Sequence, residues 1–403
     1  MKESTVSVED ALRIVRDAIL RLQPERVALA GARGLVLAED VRAGHDMPRF
    51  TNAAMDGFAV RARDARQAPA ELKVTGEVPA GRMPEKAVSG GEAVRIMTGA
   101  MLPEGADAVV MVEDTEERGE KVIVRSGVRP GENVRPRGEE FRKGEVILRS
   151  GTVLRPYELS LLASEGSREV LAYPRPDVAI IATGTELVSP TEMPHGVQIR
   201  ESTSTGISAL VEECGGIPRF LGIVPDTPDE IRGAIARAKG CDLLLLCAGV
   251  SMGKYDLVQS ALAGLGGEVL FHKISVKPGK PVAFGRIAGA VFFGLPGNPV
   301  SSLVSFLLFV RPAILLLRGV SPEDESVPAL LAAPVDIAAK RTTFLAGLLE
   351  RTEGGYAATP LDRQGSGMLT SLTQADCLIR IEQGAGRLGK GEPVRVIPLG
   401  GAR

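Results

Sequence analysis

Beyond residue 177 the chain repeats one pattern: a short apolar run without polar alternation, then a stretch with apolar positions at helical spacing. The runs are 178–182, 219–224, 243–247 and 269–274; the helical stretches are 206–214, 228–239 and 257–265. Strands apolar on both faces and separated by helices predict a parallel sheet covered on both sides. Ligands of such sheets sit beyond the carboxyl ends of the strands. Elsewhere the pattern differs. Val8, Ala11, Leu12, Val15, Ile19 and Leu22 give an amphipathic helix over 7–22 behind Ser7, a candidate N-cap. Short strands follow over 27–41, and 71–148 holds β candidates at 72–78, 93–98, 108–112, 121–124 and 145–148, punctuated by Gly and Pro. Helical character resumes over 156–165, and Tyr173-Pro174-Arg175-Pro176 makes a stiff joint. After Arg318, strands at 334–337, 344–350, 356–359, 377–381 and 393–397 predict a compact β barrel or sandwich.

The expected fold is therefore multidomain α/β plus β: a central parallel α/β sandwich, a β-rich inserted domain and a C-terminal β barrel. Its expected divisions are 1–43 with 142–173, 44–141, 174–320 and 321–403.

Composition narrows the chemistry. At 403 residues, 44% hydrophobic and 24% charged, the chain has the make-up of a globular protein of several domains. A formal charge of −2 leaves no general basic field for nucleic acid, so anion binding must be local. Cys214, Cys241, Cys247 and Cys377 show neither metal-ligand spacing nor the density of a disulfide scaffold, and read as buried thiols in a reducing compartment. Three scattered histidines give little material for a zinc site or a Ser-His-Asp triad. No signal peptide is apparent, and the apolar run 303–317 is cut by Arg311 and is short for a bilayer. A cytoplasmic location without membrane contact is the expectation.

Local basicity appears at Lys277-Pro278-Gly279-Lys280-Pro281, followed by an apolar strand and Gly294-Leu295-Pro296-Gly297-Asn298-Pro299. Asn298 suits the N-cap and Pro299 the first turn of an apolar helix over 301–317. A helix start attracts phosphate or another oxyanion, and Lys273, Lys277 and Lys280 add full charges to its partial ones. Gly-Asn-Pro alone would suit an ordinary capped core helix; three lysines upstream favour an anion site. Thr183-Gly184-Thr185-Glu186 follows the first strand, so its amides and Glu186 face the same cleft. The loop with Gly249, Ser251 and Gly253 allows close approach of a pyrophosphate, though it is no Walker or dinucleotide motif. Glu186, Asp242 and Asp256 would repel an anion unless Mg²⁺ stood between, since Mg²⁺ favours few carboxylates plus phosphate oxygens. In the N-terminal half, Asp56 reads plainly as a loop acid paired with an arginine, and Thr98 as part of a turn that could donate to an anion.

These motifs together resemble the molybdopterin molybdotransferases of the MoeA type, also found as the gephyrin E domain, over nearly the whole chain. The matching segments are Asn52-Ala53-Ala54-Met55-Asp56-Gly57-Phe58-Ala59, 96–110, 182–187, Lys277 to Pro281 and Gly294 to Pro299. The resemblance implies a molybdopterin-binding fold in four-domain subunits of a homodimer. It also implies insertion of molybdate into adenylylated molybdopterin with release of AMP, assisted by a divalent cation. Partners so implied are an upstream adenylyltransferase and acceptor molybdoenzymes. By motif, Asp56, Thr98, Glu186, Asp242, Asp256, Lys273 and Lys277 carry over as functional positions, with Pro296 and Pro299 shaping the pocket; Arg341, Ser366 and Ser371 match loosely. Glu140, Ala248 and Thr203 depart from the family's Asp, Gly and Asn. Two other readings are molybdopterin adenylylation, carried out by much shorter chains with the same α/β domain, and a non-catalytic dimeric scaffold for partner peptides.

Overall fold

The computed structural model describes residues 5–247, 265–287, 289–322, 324–337 and 339–400. The chain divides into two compact units, Glu39–Glu169, and Met1–Ala38 together with Val170–Arg403.

The larger unit opens with helix α1 (Val8–Ala18), where Ser7 Oγ accepts from the Asp10 amide and Val8, Ala11 and Val15 turn into the core. Its α/β layer comprises β1 (Asp177–Thr183), α2 (Thr203–Glu213), β2 (Ile217–Val224), α3 (Pro228–Arg237), β3 (Leu243–Cys247), β4 (Glu268–Phe271), β5 (Ala283–Ile287), β6 (Ala290–Leu295) and the helix α4 (Pro299–Leu317). The sheet order is β2-β1-β3-β6-β5-β4. The first four strands are parallel, as their unbroken apolar runs predict. Alternate residues feed two cores: Ile180, Leu245 and Phe293 join α4, whereas Ile181, Leu244 and Phe292 join Ile231 and Ile235 of α3.

Two expectations change here. The run 269–274 does not add a parallel strand to the others; β4 pairs antiparallel with β5 and ends at Phe271. Strand β5 itself is hidden in the sequence because Gly285 interrupts it, yet a Cβ there would lie 1.9 Å from the Glu268 carbonyl oxygen, so close pairing with β4 demands glycine. Helix α4 has 19 residues and is apolar enough to cross a bilayer, longer than the run 303–317 suggested. It is instead a core helix: Phe306, Phe309, Val310, Ala313 and Ile314 are fully buried. A π-helical segment over Phe306–Val310 precedes Arg311, and the helix resumes in α form from Arg311 to Leu317.

The C-terminal strands β7 (Val327–Leu331), β8 (Thr342–Thr352), β9 (Gly355–Pro360), β10 (Cys377–Ile381) and β11 (Pro393–Pro398) run β8-β9-β7-β11-β10, and β10 pairs back to β8. The barrel is closed, so no edge is left unpaired. Strand β7 escapes a sequence reading because Pro328 sits within it.

In the unit Glu39–Glu169, a six-stranded sheet runs Ala108–Met111, Gly57–Val60, Glu92–Ile96, Ala70–Val78, Lys121–Val124, Thr115–Arg118. Both faces are covered: Phe58 and Val60 enter one core, Ala59 and Ile96 the other.

Candidate functional site

Register sets the rim of the parallel sheet. Ala182 aligns with Cys247, Cys247 with Leu295 and Thr183 with Val224, so the segments that follow these residues leave from one edge. Glu186, Asp226 and the run Pro296-Gly297-Asn298 all stand there. Asp226 is a rim acid that the motif reading passed over; it lies two residues beyond β2, where the same carboxyl-end rule could have found it. Its amide donates to Thr185 Oγ1 at 3.4 Å. Thr183 is buried, and the Gly184 amide, expected to face a phosphate, donates to the Val224 carbonyl at 3.0 Å.

The cationic motif borders a cavity of about 360 Å³ inside the larger unit. Lys277, Pro278, Gly279, Lys280 and Pro281 form one wall, Asn298, Val300 and Ser301 of the start of α4 another, and Arg341, Gln364, Ser366 and Ser371 of the barrel region the third. Topology brings them together, since Val276–Lys277 is a two-residue strand paired in parallel with Thr342 and Thr343 of β8. Arg341 is steadied by donating Nη1 to the Val276 carbonyl at 3.3 Å. Three cations, two side-chain amides and four hydroxyls line the cavity, with no acidic side chain among its described lining residues. Such a wall suits a multiply charged oxyanion. Lys277, Lys280, Gly297 and Asn298 are exposed, Lys273 and Pro299 half-buried, and Pro296 is buried with its carbonyl accepting from Ser302 Oγ.

The helix start itself departs from expectation. Asn298 occupies the N-cap position but makes no side-chain cap; its Nδ2 donates to Ser366 Oγ at 3.0 Å. The Val300 amide donates to the Ser366 carbonyl at 3.2 Å. A barrel loop thus occupies part of the helix terminus, and the lysines and Arg341 carry the anion character.

Asp242 lies away from this rim. It precedes β3, its amide donates to the Asp177 carbonyl at 2.9 Å and its carboxylate accepts from the Asp177 amide at 2.8 Å, both at the amino edge of the sheet. A strand of five residues separates it from the carboxyl rim, about 16 Å. Proximity to a strand in sequence did not reveal which end it marked. Burial pushes its carboxyl above the usual range. Gly249, Ser251, Gly253 and Asp256 lie outside the described residues. Among the described residues no group of three or more His, Cys, Asp or Glu side chains gathers to hold a metal. Glu186 and Asp226 remain as rim carboxylates, a number Mg²⁺ accepts when phosphate oxygens complete its shell.

Within Glu39–Glu169 a second arrangement stands on strand ends. Gly57 pairs with Ile96 in an antiparallel register, so Asp56 just before one strand meets Thr98 just after the other. Asp56 Oδ1 accepts from the Thr98 amide at 2.6 Å and from Thr98 Oγ1 at 2.7 Å, rather than from an arginine. These bonds, the amide's first, hold the carboxyl below its ordinary range. Both side chains are exposed, leaving the second carboxylate oxygen available to a ligand.

Comparison with known proteins agrees along the chain. Residues 6–166 match the MoeA N-terminal region (domains I and II), 179–315 the "Probable molybdopterin binding domain", and 328–399 the MoeA C-terminal region (domain IV). A Bacillus subtilis protein named molybdopterin molybdenumtransferase is 36% identical over 98% of this chain and 94% of its own. One of that name from Haemophilus influenzae is 37% identical over 94% of each chain. The crystal structure of a molybdopterin biosynthesis MoeA protein from Pyrococcus horikoshii is 34% identical, with a TM-score of 0.83 over 99% of this chain and 100% of that one. This chain belongs to the MoeA family of molybdopterin molybdenumtransferases.

Proposed function

We propose that this transferase inserts molybdate into adenylylated molybdopterin with release of AMP, acting as a cytoplasmic homodimer of four-domain subunits. The observation that carries this reading is the cavity edged by Lys277, Lys280 and Arg341, without an acid among its described lining residues. Molybdate is a tetrahedral dianion, and fixed cations beside hydroxyl and amide donors stabilise it without reorganising at the moment of reaction. The dithiolene sulfurs replace oxygens on molybdenum, and a phosphate–phosphate link of the adenylylated pterin is cut by water to free AMP. Lys273, two residues past β4 on the segment leading into the Lys277 loop, extends the cationic edge toward the phosphates.

Asp56, kept ionised by Thr98, orients water or a cation, and Glu186 with Asp226 would hold Mg²⁺ at the rim. That ion, when bound, supplies charge neutralisation and polarises phosphorus. Four cysteines free of disulfides support the reducing, cytoplasmic setting.

The test uses purified full-length chain with adenylylated molybdopterin, molybdate and Mg²⁺, following AMP. Molybdate-dependent release is expected in the native protein. Lys277→Ala and Arg341→Ala should each lower it at least tenfold at limiting molybdate, the loss of one charge-assisted contact of about 1.5–3 kcal/mol. AMP release indifferent to molybdate, or undiminished in both variants, would overturn the reading. Consumption of ATP to make adenylylated pterin would favour adenylylation instead.

A further inference from the structure

The barrel loop that reaches the start of α4 is itself held by one side chain. After β9 the Leu361 amide closes on the Ala346 carbonyl of β8 at 2.9 Å, and the backbone then leaves the barrel. Gln364 stitches it back: its Oε1 accepts from the Ala346 amide at 2.8 Å, and its Nε2 donates to the Leu361 carbonyl at 2.6 Å. An amide side chain is the group that can accept and donate at once in this setting; a carboxylate could only accept, and a thioether could supply neither strong bond. Two residues on, Ser366 offers its carbonyl to the Val300 amide and its hydroxyl to Asn298.

From this geometry we propose that Gln364 is a positioning residue for the anion cavity. By pinning the 361–366 loop to the barrel, it fixes Ser366 against the first turn of α4 and so sets the wall that carries Arg341 and faces Lys277 and Lys280. The inference rests on the reading of that cavity as the molybdate subsite. Gln364 acts through Ser366 and Asn298. A loop freed from the barrel loses the separation between the α4 terminus and the Arg341 wall, so a bound oxyanion meets its donors at longer and poorly aligned distances.

The experiment titrates full-length protein with sodium molybdate by calorimetry and measures molybdate-dependent AMP release. Gln364→Ala should raise the Kd and the KM for molybdate about tenfold, the effect of about 1.4 kcal/mol, while kcat at saturating molybdate falls less than about twofold. Gln364→Met keeps the side-chain length without the amide and should behave as the alanine variant does. It also serves if the alanine variant folds poorly. In a Ser366→Ala background, which removes the hydroxyl bond to Asn298 and keeps the carbonyl bond to the Val300 amide, the Gln364→Ala effect should shrink to about threefold, because part of its route is already lost. Native-like molybdate affinity in Gln364→Met, a loss confined to kcat, or full additivity with Ser366→Ala would each overturn the positioning role alone. A native chain that binds no molybdate would overturn the subsite reading, and this inference with it.

Discussion

Gly279 shows how one residue sets the cationic loop. It stands at φ +105, and a Cβ there would lie 2.5 Å from Ser305 Oγ on α4. Gly279→Ala therefore meets both a disfavoured backbone region and a clash. We expect a loss of about 1–3 kcal/mol in chemical unfolding together with weaker molybdate binding, as Lys277 and Lys280 are pulled from the cavity wall. Adding Ser305→Ala relieves the clash alone, so only part of the loss should return; complete recovery would show that φ is not strained. Asp242 gives the opposite test. Its folded carboxyl titrates above the ordinary value, chiefly through burial, so ionising it opposes folding. Its contribution to stability falls as pH rises from the ordinary carboxylate range to the raised value, and the deficit persists at neutral pH. Asp242→Asn keeps an acceptor for the Asp177 amide and removes the charge. At pH 7 it should melt no lower than the native protein and retain AMP release; loss of activity would return Asp242 to the site. The lysines were legible because charge and glycine cluster in sequence. Asp226 and Gln364 were not, since one has no motif around it and the other acts through bonds to residues 18 and 3 positions away.

At the scale of elements, apolar periodicity located β1, β3 and β6, because strands buried on both faces carry a plain apolar signal, and it also found β2, a largely half-buried strand at the sheet edge. It failed at β5 and β7, where Gly285 and Pro328 interrupt the signal for reasons visible only in three dimensions. A short helix in the other unit, Pro156–Ser164, illustrates how an element end is secured. Glu158 reaches back to the Arg155 amide at 2.9 Å while Arg155 Nη2 donates to its Oε1 at 2.6 Å. The arginine bond foremost brings the Glu158 carboxyl down to about 2. A depressed acid stabilises the fold above its unfolded value, and that stability fades as pH falls toward the folded one. Glu158→Gln should therefore melt below the native protein at pH 7, and the gap should close between about pH 4.5 and 2. A gap that stayed constant through that window would assign the loss to packing instead.

For the whole molecule, the segment Met1–Ala38 belongs with Val170–Arg403 although 131 residues, those of Glu39–Glu169, intervene. Arg318, just past α4, is one of the fasteners. It is 6% exposed, and its two terminal nitrogens donate to the carbonyls of Cys214 and Gly34. Gly215 clears its path: a Cβ there would lie 2.4 Å from the guanidinium carbon. Burial, with Arg175 adding to it, lowers the Arg318 pKa, but a guanidinium starting so high remains charged at neutral pH. A buried cation held by carbonyls rather than by a carboxylate is costly to desolvate, so replacing it recovers some free energy. The two carbonyls left without donors cost about 1–3 kcal/mol each, and that loss exceeds the recovery. Arg318→Met, similar in length and lacking donors, should lower the melting temperature by about 5 °C or more. It should also expose the segment before Gly34 to proteolysis sooner than in the native chain. Arg318→Lys, with a single compact donor group, should recover no more than part of the difference, because one ammonium cannot span both carbonyls. A methionine variant melting within about 1 °C of the native protein would mean that the carbonyls find other donors and that packing on α4 and the pairing of Val36 and Leu37 with Tyr173 and Ala172 hold the segment in place.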